Sequence, residues 1–118
     1  MSSFWLQKRD LIDRQIRKGG ALCYLRRASV DRECWALEMQ LNANDKRALR
    51  NLNNRIFSIS AVDLDVPPDQ RLDSLVLVNK STGIKLTPLR MAAPVAPFQP
   101  EPGGTVVYYD VEIEGNAG

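Results

Sequence analysis

Four carboxylates, Asp63, Asp65, Asp69 and Asp73, fall within one short stretch, DLDVPPDQRLD. Carboxylate oxygens are what calcium takes as ligands, but an EF-hand loop also needs a glycine at its sixth position and a glutamate at its twelfth, and the spacing here does not match. Solubilising charge on a surface turn is the better account of these acids. Histidine is absent, which removes the commonest general base and the commonest zinc ligand together. Cys23 and Cys34 are the only cysteines, with no CxxC spacing and no Cys/His cluster, and are expected to be reduced and packed, unless their two strands pair and a bridge forms. No Gly-rich phosphate cradle and no GxSxG elbow occurs. The sequence therefore reads as a non-enzyme with no metal and no cofactor.

Basic residues offer the other chemistry. They gather in the first helix, at Arg26 and Arg27, and at Lys46, Arg47 and Arg50. Small barrels bind single strands with basic grooves interleaved by aromatics. Only Tyr24 interleaves here, so a diffuse, salt-dependent phosphate contact is the most this pattern supports. Net charge is +2, but it is unevenly placed: residues 1–30 carry seven Lys/Arg against two Asp, and residues 61–118 carry four against eight acids. Such polarity suits copies packing head to tail.

The elements that hold these residues follow from pattern and punctuation. The 118 residues make one domain with one modest core. The start, MSSFWLQKRD, has no apolar run that would read as a secretory signal, and nothing approaches a membrane span. A helix capped by Ser2 or Ser3 is expected to about Lys18, with Phe4, Trp5, Leu11, Ile12 and Ile16 near one face. Gly19-Gly20 would stop it in a left-handed conformation. ALCYLRR (21–27) and CWALEMQL (34–41) read as a hairpin joined by the polar ASVDRE, with Trp35, Leu37, Met39 and Leu41 toward the core.

Residues 42–54 read as a long Asn-rich, basic loop, the kind that often carries function. RIFSISAV (55–62), SLVLVN (74–79) and IKLTPLRM (84–91) are further strands, with Gly83 freeing the turn before the last of these and Pro88 making its later half an edge or bulge. AAPVAPFQPEPGG, with Pro94, Pro97, Pro100 and Pro102, is expected as a stiff strap over residues 92–104. It delivers the chain into TVVYYDVEI, whose Val107, Tyr109, Val111 and Ile113 alternate inward, ahead of a frayed tail. The fold class is mainly β: a small β-barrel or sandwich of five to six strands with an N-terminal α-helix.

A helix ending at glycine before GGALCYLRR, a turn leading to an aspartate before a strand (Arg71-Leu72-Asp73), a glycine followed by an IKL strand, and a proline/glycine approach to a tyrosine-bearing last strand (Pro102 to Ile113) together resemble a known family. It is that of the head–tail connector proteins of long-tailed bacteriophages, in particular the head-closure or "stopper" proteins. The resemblance implies a virion protein, made in the host bacterial cytoplasm, that forms a ring at the head–tail junction. The ring would sit between a portal or adaptor protein and the tail terminator or tail tube, close the DNA exit channel and dock the tail. The family's channel loop falls by position on residues 42–54, with Asn44, Lys46, Arg47, Arg50 and Asn53 as candidates to face DNA. Ring assembly would set Arg9, Arg14, Arg17, Arg26 and Arg27 of one copy against acids such as Asp110 and Glu112 of its neighbour. A tail-completion or tail-tube component, and a small nucleic-acid-binding barrel, are the alternatives.

Overall fold

The computed structural model describes residues 2–42, 49, 53–62 and 64–115. One helix, α1 (Ser2–Gly19), precedes seven strands: β1 (Ala21–Arg27), β2 (Val30–Glu38), β3 (Arg55–Ser60), β4 (Ser74–Val76), β5 (Leu89–Arg90), β6 (Ala96–Phe98) and β7 (Tyr108–Ile113). They form one antiparallel sheet in the order β5-β4-β1-β2-β3-β7-β6. The sheet curls until its ends meet. Met91 bridges Ile113, the Ala92 N–H donates to the Glu112 carbonyl at 2.7 Å, and the Glu114 N–H donates to the Arg90 carbonyl at 2.9 Å. The mainly β, barrel-like class expected from the sequence is the one observed.

The inner face is apolar because each strand alternates. Cys23 and Leu25 from β1, Cys34 and Ala36 from β2, Phe57 and Ile59 from β3, Leu75 from β4, and Tyr109, Val111 and Ile113 from β7 make one buried cluster. Leu25, Ile59, Leu75 and Ile113 are wholly buried, each worth roughly 1.5–3 kcal/mol of transfer free energy. Helix α1 covers the outer face of the sheet, where Arg17 lies over the Trp35 ring and Asp13 accepts a hydrogen bond from Ser60. Trp35 and Leu37 therefore face the helix and not the core, the reverse of the expectation for β2. With both faces of the strand covered, alternation marks two faces without saying which is interior.

Several boundaries move, for identifiable reasons. β2 begins at Val30, so the connection shrinks to Ala28-Ser29, with φ of 51° and 68°. Two left-handed residues in a two-residue hairpin are the type I′ geometry that matches strand twist. Neither is glycine or asparagine, so both carry Cβ strain. Replacing the pair with Asn-Gly is expected to stabilise the protein by about 1 kcal/mol, read as a rise in the urea midpoint.

Helix α1 ends without a left-handed glycine, since the positive-φ glycines are Gly83 and Gly103. Gly20 serves close approach instead: a Cβ there would lie 2.1 Å from the Ala36 carbonyl oxygen. The expected strands over 74–79 and 84–91 shorten to β4 and β5, with a lone Val78–Lys85 bridge beyond them. The expected strap contains β6, which pairs with β7 from Ala96↔Asp110 to Phe98↔Tyr108. Pro97 at its centre has no N–H, which makes this exposed edge a poor template for another strand. The tail is tied down as far as Gly115, whose N–H donates to Asn54 Oδ1 at 3.1 Å.

Candidate functional site

The connection from β2 to β3 leaves and returns at one end of two neighbouring strands, and its base is clamped. Arg55 Nε and a terminal guanidinium nitrogen each donate to the Glu38 carboxylate at 2.8 Å, and the Met39 N–H donates to the Ile56 carbonyl at 2.9 Å. The Arg55 guanidinium also lies 5.1 Å from the Phe57 ring centre. The hydrogen bond from Arg55 holds Glu38 below the usual carboxylate range, against a smaller opposing effect of burial. Asn54 completes the clamp: it is buried, and its amide donates to Glu112 at 2.7 Å. Asn53 follows the loop, exposed, with its backbone against Gly115. Asn44, Lys46, Arg47 and Arg50 lie outside the described residues. Beside this base, the mouth of the barrel opens into a groove of about 420 Å³ lined by Cys23, Ala36, Phe57, Leu77 and Leu86, with Glu38 and Arg55 at its rim.

At the hairpin end, the expected assembly residues Arg26 and Arg27 are engaged within the chain. Arg26 forms a two-point pair with Asp31 at 2.7 and 3.0 Å, and Lys85 joins Asp31 at 2.8 Å while standing over the Tyr24 ring. Hydrogen bonds from Arg26 and then Lys85 hold the Asp31 carboxyl well below its ordinary value. Arg27 makes two bonds to Asp73 at 2.9 and 2.8 Å, Arg32 adds a third at 3.1 Å, and the Asp69 N–H a fourth at 2.8 Å. Asp73 is a fully buried side chain, so the reading of all four acids as surface charge does not hold for it. Burial opposes its ionisation, but the Arg27 pair, the Asp69 N–H and the Arg32 charge together hold its carboxyl low. Arg27 and Arg32 also reach the Pro67 and Val66 carbonyls, so this cluster pins the whole 66–73 loop onto the hairpin.

The remaining expected contacts divide the same way. Arg17 donates through Nε to both Asp13 oxygens, Asp110 accepts from Ser58 at 2.7 Å, and Glu112 accepts from Asn54. Arg14 is exposed on α1, while Arg9 is partly covered, with a buried Nε. One surface feature was not anticipated from the sequence. Phe4, Trp5, Phe98 and Tyr108 form a chain of ring contacts at 4.9, 6.2 and 5.0 Å between centres, ending in a half-exposed Phe4. The signal available was Phe98 within the proline strap, whose exposure the pairing of β6 decides.

Cys23 and Cys34 face each other in register across β1 and β2, both buried and both free thiols. Burial pushes the Cys23 thiol up to about 11, and burial with the neighbouring Cys23 raises Cys34 further. Thiols held protonated react slowly. Alkylation of the native protein at pH 8 is expected to run at least about tenfold slower than in denaturant, where ordinary thiol values return, as followed by intact mass. No three His, Cys, Asp or Glu side chains among the described residues converge as a metal site. No helix among the described residues is long and apolar enough to cross a membrane. Comparison with family models, curated proteins and solved structures finds no match.

Proposed function

We propose that the protein is a structural component of a long-tailed phage virion, forming a ring at the head–tail junction that closes the DNA exit channel and docks the tail. The observation that carries this reading is the clamped base of residues 39–54. Neighbouring antiparallel strands need only a short turn to join them. Here they are joined by a long segment whose base is fixed by the Glu38–Arg55 pair, the Met39–Ile56 bond and the Asn54–Glu112 bond. A rigid barrel holding a long polar, basic segment at its mouth is suited to presenting that segment to a channel lined by copies of itself. Its Lys46, Arg47 and Arg50 would meet packaged DNA through phosphate, without sequence preference.

Within the virion the partners would be further copies of the chain, a portal or adaptor protein on one side, and a tail terminator or tube protein on the other. The test is an amber mutation of the gene in its parent phage, followed by negative-stain electron microscopy of the lysate. Separate tails beside empty or leaking heads are expected. Normal infectious particles would overturn the reading and bring the nucleic-acid-binding alternative forward, to be measured by oligonucleotide affinity against salt.

A further inference from the structure

We infer that copies of this chain associate head to tail, with the exposed Phe4 of one copy seated in the cleft between α1 and the 64–66 segment of the next. The inference rests on the ring reading above and names the surfaces that would build it.

The projecting half is at the start of α1. Phe4 is 53% exposed, is braced edge-on by Trp5, and has the Lys8 ammonium over its ring. No acidic residue stands in the first turn of the helix. The receiving half is a cleft of about 510 Å³ whose apolar walls are Trp35, Leu64 and Val66 and whose rim carries Glu33 and Asp65. Val66 is itself 44% exposed. The wall is rigid, because Arg32 donates to the Val66 carbonyl at 2.9 Å and to the buried Asp73. The arginines bordering the cleft are already engaged, Arg17 with Asp13 and Arg32 with Asp73. Glu33 and Asp65 have no side-chain partner among the described residues, and neither has Lys8 a carboxylate. An exposed aromatic ring beside a cation thus matches a partly apolar cleft whose acids, unlike its arginines, have no side-chain partner among the described residues.

The contact joins two different patches of the chain. Arg17 lines the cleft and Phe4 stands thirteen residues before it on the same helix, about 20 Å away at 1.5 Å per residue. A copy cannot fill its own cleft, and where two copies do not exchange both contacts reciprocally, each contact leaves one Phe4 and one cleft free for a further copy. Such an interface closes into a ring or runs on as a filament. A wild type that stops at the dimer would overturn the head-to-tail arrangement. Aromatic anchors in apolar pockets dominate interfaces of this kind, and a flanking Lys–Glu/Asp contact adds orientation and salt dependence.

The test uses the full chain, with sedimentation velocity across concentrations up to about 1 mM, the weak end of detectable association. Phe4→Asp disables the projection and keeps the cleft; Val66→Asp does the reverse. Both sites are on the surface, and unchanged thermal unfolding would show that both variants fold. Each variant alone is expected to lose at least about tenfold in association constant relative to wild type. An equimolar mixture is expected to form a heterodimer and nothing larger, because only one productive contact remains. Raising the salt should weaken wild-type association. If both variants associate as wild type does, the contact is wrong and the ring reading stands. A wild type that stays monomeric at every concentration also overturns the contact, and the particle phenotype alone then judges the ring.

Discussion

Replacing Asp73 with alanine is expected to lower the unfolding free energy at pH 7 by about 3 kcal/mol, or roughly 10 °C in Tm. The carboxylate is fully buried and takes four hydrogen bonds, from Arg27, Arg32 and the Asp69 N–H. Removing it strands two guanidinium groups and a backbone donor. Breaking a buried pair in this way costs about 3–5 kcal/mol, and the lower end applies because Arg27 and Arg32 are 30% and 25% exposed and regain water. The pH dependence distinguishes charge from packing. Asp73 is held below its unfolded value of about 4, so its contribution is complete above that value and disappears as pH falls through the folded one. An Asp73→Asn variant should therefore be weaker than wild type at pH 7 and converge on it only as pH falls below the depressed folded value. Urea melts at several pH values would show this, and a gap that persists in acid would mean the cost is steric.

Gly20→Ala is expected to destabilise by about 2–4 kcal/mol through overpacking. An added Cβ would stand 2.1 Å from the Ala36 carbonyl oxygen and 2.6 Å from that of Ile16, so backbone must move on both sides. The helix would lift from β2, exposing Trp35 and Leu37. Gly83→Ala is the informative control. It meets nothing within 4 Å but sits at φ +74°, so its cost is conformational alone, about 1 kcal/mol. Comparable losses at the two positions would mean that close approach at Gly20 is not what the glycine supplies.

The class of fold was legible because period-2 alternation is strong where a strand is long. Tyr109, Val111 and Ile113 join the buried cluster as expected, whereas Val107 is buried outside it and Val106 packs against it, and the helix ends within a residue of its expected limit. What alternation could not settle was orientation in β2, since both faces of that strand are covered. Short strands were also hard to bound: β4 and β5 together hold five residues because pairing there is set by partners distant in sequence. Arginines in general, those expected to make assembly contacts included, were legible as charge but not by the contacts they make within the chain. Arg27 meets Asp73 across 46 positions and Arg55 meets Glu38 across 17, and no local pattern announces either pair. Asp73 was misread for the same reason. The residues before it, Arg71 and Leu72, are exposed, while its burial comes with two arginines on a different hairpin.

Strand β7 pairs with β3 along its whole length on one side, and on the other with β6 and then with the backbone around Met91. It supplies three fully or nearly fully buried side chains and, with Glu114 just after it, the bonds among the described residues that join the two ends of the sheet. During synthesis, the first five strands can pair as an open sheet with two bare edges, but none can be sealed until the nascent chain reaches Ile113. Contacts so distant in sequence fold slowly and leave edges available to other chains in the interval. A cell making many copies at once would therefore hold a population of unsealed sheets, each able to accept β7 from a neighbour in place of its own. Exchange of that strand between copies is the route by which overexpression of this protein would fail.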